Sequence, residues 1–277
     1  RGDLSVFNWG DGSFWIMGSY YLRAWHLRWF RDHLEDGVSV RDISDDWVGF
    51  SLSGPRSRDL LQAVVQNADV SNQGFRFLGC RELDVGMTRA KVGRLSVNGE
   101  LGYEINVPSA EHLTLYRTLK KAGADFGMVE IGFNAMLSLR IEKSFGLWNR
   151  EFTQVYTPGE TGLARWIDFG KKDFIGRDAA LKEREAGPKR QLVTLEIAAG
   201  DADPSSWEPV WRGDRMIGYI TSGAYGHTIG KSIGMALVDR DHAAVGTDLT
   251  THVVGIERKA RVIAPSPYDP TGARMRI

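Results

Sequence analysis

The last third of the chain leaves room for little except short strands. From Gln191 onward, brief β-prone runs recur at Leu192–Ile197, Val210–Trp211, Met216–Thr221, Ser232–Val238, Thr250–Val254 and Arg261–Ile263. Turn-forming residues separate several of them, at Asp201–Pro204, Arg212–Asp214 and Asp239–Asp241. Strands this short and this closely spaced are expected to form a small barrel or jelly roll. Upstream lie an irregular stretch from about residue 145, a short helix Arg177–Glu185 and a hinge at Ala186-Gly187-Pro188.

The earlier part mixes both kinds of element. Leu4–Phe7 and Phe14–Met17 read as strands around a turn at Asn8–Gly12, followed by a helix ending near Gly37. Tyr21, Leu22, Trp25, Leu27, Trp29 and Phe30 crowd that helix, and an aromatic stripe at helical spacing is expected to be core. Strands follow at Val48–Leu52, Glu82–Val85 and Lys91–Val97. Helices are expected at Arg56–Val65, where Pro55 falls at the start, at Ala110–Ala122 and at Phe133–Ile141. In the second of these, Leu113, Tyr116, Leu119 and Lys120 are spaced for one buried face. The pattern is that of an α+β sandwich.

Within it, Leu95–Pro108 places Glu100 and Glu104 among glycines in an apolar, strand-like run. Leu95 and Val97, then Ile105 and Val107, read as two strand pieces. Glu104 interrupts a run with every other reason to be buried. A carboxylate there needs donors, and a flat nitrogen heterocycle with paired N–H groups would supply them. The competing reading is an exposed glutamate on the solvent face of an amphipathic strand.

Composition excludes several classes. Lys plus Arg and Asp plus Glu number 35 each, so no field favours nucleic acid or an anionic membrane. No apolar run is long enough to span a bilayer, and the start shows no signal-peptide pattern. Cys80 is the only cysteine, and the six histidines never fall at metal-ligand spacing, so neither a disulfide framework nor a metal site is expected. These features fit a cytoplasmic protein, or one of the mitochondrial matrix if eukaryotic. An opening at Arg1 suggests a fragment or a processed product. No G-x-G-x-x-G follows a first strand, and there is no P-loop. Ser222-Gly-Ala-Tyr-Gly226 is not a nucleophile elbow and reads as glycine-rich barrel turns. Asp45-Asp46 and Glu82 with Asp84 read as solvated carboxylates.

An ordered set of motifs then covers nearly the whole chain. It comprises Asp3-Leu-Ser-Val, Gly99-Glu-Leu-Gly-Tyr-Glu-Ile, Leu139-Arg-Ile-Glu-Lys143, Pro158-Gly-Glu-Thr-Gly-Leu163, Asp173-Phe-Ile-Gly-Arg177 and Gly218–Gly226 with Gly230–Gly234. Together they resemble the folate-binding domain shared by the glycine-cleavage T-protein (aminomethyltransferase) and the C-terminal half of dimethylglycine and sarcosine dehydrogenases. Glu142-Lys143, Trp148 and the run Ile217–Ile233 are more similar to the dehydrogenase branch.

The resemblance implies a three-lobed α+β fold, with ferredoxin-like α/β sandwich lobes and a C-terminal small β-barrel around a tetrahydrofolate pocket. The expected divisions are 1–45, the remainder of a first lobe; 46–187, a central folate-binding lobe with its connector; and 188–277, the barrel. FAD is expected only in a missing upstream domain or subunit, which would oxidise a small N-methyl amine such as dimethylglycine or sarcosine. The chain's share is capture of the iminium or aminomethyl carbon as 5,10-methylenetetrahydrofolate. By the same resemblance Asp3 is catalytic and faces the folate amine, Glu104 holds the pterin, and Arg140, Trp148 and Arg150 lie near the folate. The chain departs from the family where a tyrosine is common, at Val97, and at Asn98. A free-standing aminomethyltransferase or folate-dependent demethylase, and a non-catalytic folate-binding regulator, are the alternatives. The regulator's Lys-Gly-Cys segment is replaced here by Lys172-Asp-Phe.

Overall fold

The computed structural model describes residues 4–277. Backbone contacts divide them into two compact units, residues 4–131 with 271–277, and residues 132–270.

The first unit opens with a hairpin of β1 (Ser5–Asn8) and β2 (Phe14–Met17), then α1 (Arg23–Arg31). Next come β3 (Trp47–Ser53), α2 (Ser57–Val64), β4 (Cys80–Val85), β5 (Thr88–Gly93), β6 (Gly102–Pro108) and α3 (His112–Gly123). The four longer strands form one antiparallel sheet in the order β3-β6-β5-β4. Strand β6 alternates as its sequence demands: Tyr103, Ile105 and Val107 are buried with Leu60, Leu61 and Leu115 of the helices, and Glu104 and Asn106 face the other way.

Three local expectations are corrected. Strand β5 stops at Gly93, so Leu95 and Val97 lie in a loop. There Asn98 donates to Ser53 Oγ at 2.7 Å and accepts from the Glu100 amide at 3.1 Å, side-chain bonds that stand in for a ladder. In α3 the buried residues are Leu115, Leu119 and Gly123, and Leu113 is exposed, because a 3-10 turn over Ser109–Glu111 precedes the helix and resets its phase. On α1 only His26 is buried; Tyr21 before it is 90% exposed. Its rings stack on one another instead of forming core, Trp25 on Trp29 at 6.2 Å and Trp29 on His33 at 4.0 Å.

A buried cation ties the tail of this unit down. Arg94 is inaccessible, and it donates to Asn72 Oδ1 and the Phe75 carbonyl at 2.6 Å, and to the carbonyls of Ile277 at 2.7 Å and Met275 at 3.3 Å.

The second unit holds α4 (Phe133–Ile141), α5 (Arg177–Ala186) and the strands β7 (Arg190–Ile197), β8 (Pro209–Arg212), β9 (Arg215–Gly226), β10 (Lys231–Asp239), β11 (Asp248–Val253) and β12 (Ile256–Ile263). The strands close into a barrel in the order β10-β7-β12-β11-β8-β9 around Leu195, Val210, Ile220, Ala236 and Val253. The α+β class with a closing small barrel is thus what the chain forms. The run Ser222–Gly226 is not a set of turns; it is the end of the long strand β9, whose pairing with β10 slips at Met235/Ala236. A Cβ on Gly223 would lie 2.0 Å from the Pro204 carbonyl oxygen, so this glycine serves close backbone approach.

Deleting residues 274–277 is expected to lower the unfolding free energy measured by urea titration by about 2–4 kcal/mol, since a buried guanidinium loses two acceptors. Arg94→Met should then cost less in the shortened chain than in the intact one, a coupling that a double-mutant cycle measures.

Candidate functional site

Glu104 lies at the middle of a row across the first unit's sheet. The ladders align Cys80 of β4, Gly93 of β5, Glu104 of β6 and Ser51 of β3. The neighbouring row is Glu82, Lys91, Asn106 and Gly49. This is the face away from the helices, and the β1–β2 hairpin covers part of it with rings. Phe7 stacks on Trp9 at 5.9 Å, Trp9 meets Trp15 edge-on at 5.3 Å, and Trp15 meets Trp47 at 4.6 Å. The Lys91 ammonium sits 4.0 Å from the Trp9 centroid and donates to Glu82 at 2.6 Å, so the cation of the neighbouring row is engaged. The Cys80 thiol donates to the Asn8 carbonyl at 3.1 Å, and burial pushes its pKa up.

Among the described residues, no N–H, O–H or cation pairs with the half-buried Glu104 carboxylate. Burial alone pushes its pKa above the usual glutamate range. A group in that state favours its proton until donors arrive, and its ionised form can accept two N–H bonds at once. Ser51, next in the row, is exposed, so the carboxylate is approachable from the β3 side. Tyr103 points to the opposite, fully buried face, as its neighbouring position in the strand requires.

The other candidates belong to the second unit. Arg140 ends α4 at 2% exposure, and its guanidinium donates to Glu151 at 3.2 Å, Ser222 Oγ at 2.6 Å and the Phe145 carbonyl at 2.8 Å. Ser222 in turn donates to Glu151 at 2.5 Å, and the Leu147 amide to Glu151 at 2.8 Å. Burial pulls the Arg140 pKa down and Glu151 opposes the shift. Arg140 is therefore a linking residue between helix, connector and barrel strand. Trp148 and Arg150 are half-buried in the connector just beyond. Arg150 donates through one nitrogen to Ser206 Oγ and, at 3.5 Å, to the Thr221 carbonyl; its Nε and other Nη have no partner among the described residues. Arg140 and Arg150 thus meet at consecutive residues of β9. Asp3, the catalytic candidate, lies outside the described residues.

Two neighbours of Arg140 carry structural charge that the sequence reading leaves without a role. Glu142 is buried and accepts the amides of Thr228 and Ile229 at 2.8 and 3.0 Å, fixing the β9–β10 loop. Lys143, also buried, donates to the carbonyls of Tyr268 and Asp269 at 3.0 and 2.5 Å. The available signal is three charges in four residues at the end of an otherwise apolar helix.

An antiparallel sheet with helices on one face, together with a closed six-stranded barrel braced by buried charge, defines an α+β fold of a recognisable kind. Residues 1–171 match the family model described as the GCVT N-terminal domain, and residues 190–269 match the glycine cleavage T-protein C-terminal barrel domain. The chain belongs to this glycine cleavage T-protein, or aminomethyltransferase, family.

Among its relatives is the mitochondrial dimethylglycine dehydrogenase of Homo sapiens, 31% identical over 281 residues that cover 99% of this chain and 32% of that protein. The aminomethyltransferase of Caldanaerobacter subterraneus subsp. tengcongensis is 32% identical over 231 residues, 83% of this chain and 61% of the relative. The crystal structure of the glycine cleavage system aminomethyltransferase T from Bartonella henselae superposes with a TM-score of 0.71 at 23% identity, over 81% of this chain and 60% of that one, which supports the fold. The chain spans about a third of the length of the dimethylglycine dehydrogenases that it matches. No helix among the described residues is long and apolar enough to cross a membrane.

Glu151→Leu alone should destabilise the protein by ~3–5 kcal/mol, because it leaves Arg140 as a buried charge without its carboxylate. Glu151→Leu with Arg140→Met should recover much of that loss, which denaturant melts of the single and double variants would show.

Proposed function

We propose that this chain binds tetrahydrofolate and uses it to accept a one-carbon unit from an N-methyl amine. The observation that carries the reading is the Glu104 carboxylate, half-buried, with a raised pKa and no donor among the described residues. The paired N–H groups of a reduced pterin edge are the donors it lacks, so the residues present fit the group. When bound, tetrahydrofolate supplies a nucleophilic amine that accepts carbon.

Each residue then has a stated task. Glu104 orients the ring, a contribution of positioning more than of chemistry. Asp3 takes or orients the proton of the reacting amine and offsets cationic charge on the carbon donor; a placed base is worth ~10²–10⁴ in rate. Arg150, with two donor nitrogens uncommitted, and the neighbouring Trp148 are assigned to folate contact, the arginine to its carboxylate tail. Arg140, saturated inside the second unit, is assigned to holding that connector in place.

The carbon donor is proposed to be dimethylglycine or sarcosine, oxidised by FAD bound in another part of the protein or in a partner subunit. The dehydrogenase relatives support this. The second reading, a free-standing aminomethyltransferase, is supported by relatives of that name at comparable identity. A flavin-binding segment in the full-length chain, or a flavin-bearing subunit that copurifies with it, would decide for the first, and the absence of both for the second.

Reduced folate should quench the tryptophan fluorescence of the full-length protein, and Glu104→Ala should weaken binding ten- to a hundredfold, the equivalent of ~1.5–3 kcal/mol for one charged hydrogen-bonding group. No binding by calorimetry to folded, full-length protein would sink the reading.

Asp3→Asn in the full-length protein should hold folate affinity within a few-fold while methylene transfer drops ~10²-fold or more. Amine oxidation should continue and release formaldehyde in place of methylenetetrahydrofolate. An unchanged product ratio in a variant that melts like the parent would remove Asp3 from the chemistry.

A further inference from the structure

Gly93 is the immediate ladder partner of Glu104, and its backbone needs no glycine. Its φ is not in the left-handed region, and β5 is an ordinary strand. Space explains it instead. A Cβ built on Gly93 would lie 2.4 Å from Phe7 Cε1 and 2.9 Å from Leu95 Cδ2, so the Phe7 ring occupies the volume that any larger residue would fill. Facing positions on neighbouring strands project to the same side about 4.5–5.5 Å apart. The ring is therefore lateral to the Glu104 side chain, and at 7% exposure it is itself sealed beneath Trp9. On Glu104's other flank stands Ser51, small and exposed. The carboxylate thus has one dry apolar wall and one open side.

We propose that Phe7, seated in the notch left by Gly93, is a positioning residue for Glu104: it keeps water off one side of the carboxylate and leaves ligand N–H groups as its donors. The proposal rests on the folate reading and deepens it. It accounts for three observations together: the missing side chain at Gly93, the burial of a ring on the polar face of the sheet, and a half-buried carboxylate without partners among the described residues.

The charged and titratable groups on the surrounding elements leave burial as the dominant influence on Glu104. On β5, Lys91 is engaged by Glu82 of β4, and Arg89 by Asp84 and Glu82. Cys80 of β4 stays a neutral thiol, its pKa raised by burial. In the hairpin turn, Asp11 accepts from the Ser13 amide and hydroxyl. Strand β3 contributes Trp47, Gly49 and Ser51 to this face, none of them titratable. Among the described residues, burial is the cause that raises the Glu104 pKa.

The sign follows. A carboxyl whose pKa is raised is neutral at low pH, and a neutral carboxyl accepts paired N–H groups poorly. Ligand affinity should therefore rise as pH climbs through the raised pKa and then level off. Removing the ring admits water and returns the pKa toward the ordinary value, which moves that rise to lower pH and lowers the plateau.

The test uses 5-formyltetrahydrofolate, whose formylated nitrogen does not titrate, with the full-length protein, in calorimetry from about pH 3.5 to 8, an interval chosen to bracket ordinary and raised glutamate values. Phe7→Ala should bind about tenfold more weakly at the plateau, with the pH rise displaced downward. Phe7→Leu, which keeps an apolar plug, should retain the parental midpoint, and Gly93→Ala, which displaces the ring, should behave like Phe7→Ala. Glu104→Gln should give a flat profile. A folded Phe7→Ala or Gly93→Ala variant with the parental midpoint overturns the proposal. Carboxyl-carbon NMR of Glu104 in unliganded protein gives the same answer without folate: a lower Glu104 pKa in Phe7→Ala supports the positioning role, and an unchanged one ends it. Should the parent bind no folate, the functional reading fails and the NMR comparison still decides the role of Phe7. Phe7→Val replaces Phe7→Ala if the latter does not fold.

Discussion

The second unit depends on a guanidinium that cannot be left alone. Arg140 is almost wholly removed from water, and its ion pair with Glu151 is closed by Ser222, which touches both. Three segments thereby acquire one fixed relation: the end of α4, the connector near residue 151 and, 71 residues further along, Ser222 of strand β9. Pairs of this kind add little net stability over apolar packing, because desolvation offsets their attraction. Their worth lies in specificity, since any other packing of these segments strands a charge. Glu142 and Lys143 extend the device, one gripping loop amides and the other two carbonyls near Asp269. The consequence for Arg150 is indirect but physical: the serine and carbonyl that it touches sit on or beside the strand that Arg140 holds.

In the first unit the governing constraint is strand alternation. Once Tyr103, Ile105 and Val107 are committed to the helices, Glu104 must face the opposite side, and nothing in β6 can change that. What remains adjustable is the cover over that face. Here it is an aromatic hairpin whose rings contact one another and a lysine already paired with Glu82. Such a cover excludes water, and among the described residues no donor is paired with Glu104, a state that favours the protonated carboxyl in the free protein.

Much of this was legible in residues, and the limits have physical causes. Short β-prone runs between turn residues located the barrel strands, and Phe133–Ile141 was legible as a helix, because those signals are local. Glu104 stood out because one carboxylate broke an apolar strand. The buried face of α3 was misplaced onto Leu113, since a 3-10 turn shifts helical phase without changing composition. The rings near α1 were expected in a core, yet a stripe of aromatics reports only that some surface will cover it, and among the described residues they cover each other. The charges at 142 and 143 were hidden for a different reason. Burial of a charge is decided by its partner, and the partners lie some 86 and 126 residues away in sequence.

Buried and half-buried carboxylates in this chain fall into two kinds, and the difference separates scaffold from site. Glu142 and Glu151 are saturated by amides, a hydroxyl and a guanidinium, so nothing remains for a ligand to offer. Glu104 has lost much of its water without gaining a donor, and its raised pKa records that deficit. A fold tolerates such a deficit at modest cost only if the group can protonate, which a carboxyl can do and an arginine in practice cannot. The unpaired group is consequently a carboxylate, and its position on an open-sided row next to exposed Ser51 leaves the deficit reachable from solvent. Under the proposed folate reading, binding energy comes from repairing an interaction that the free protein lacks, which favours ligands presenting paired N–H groups over ones that merely fit the shape of the surface.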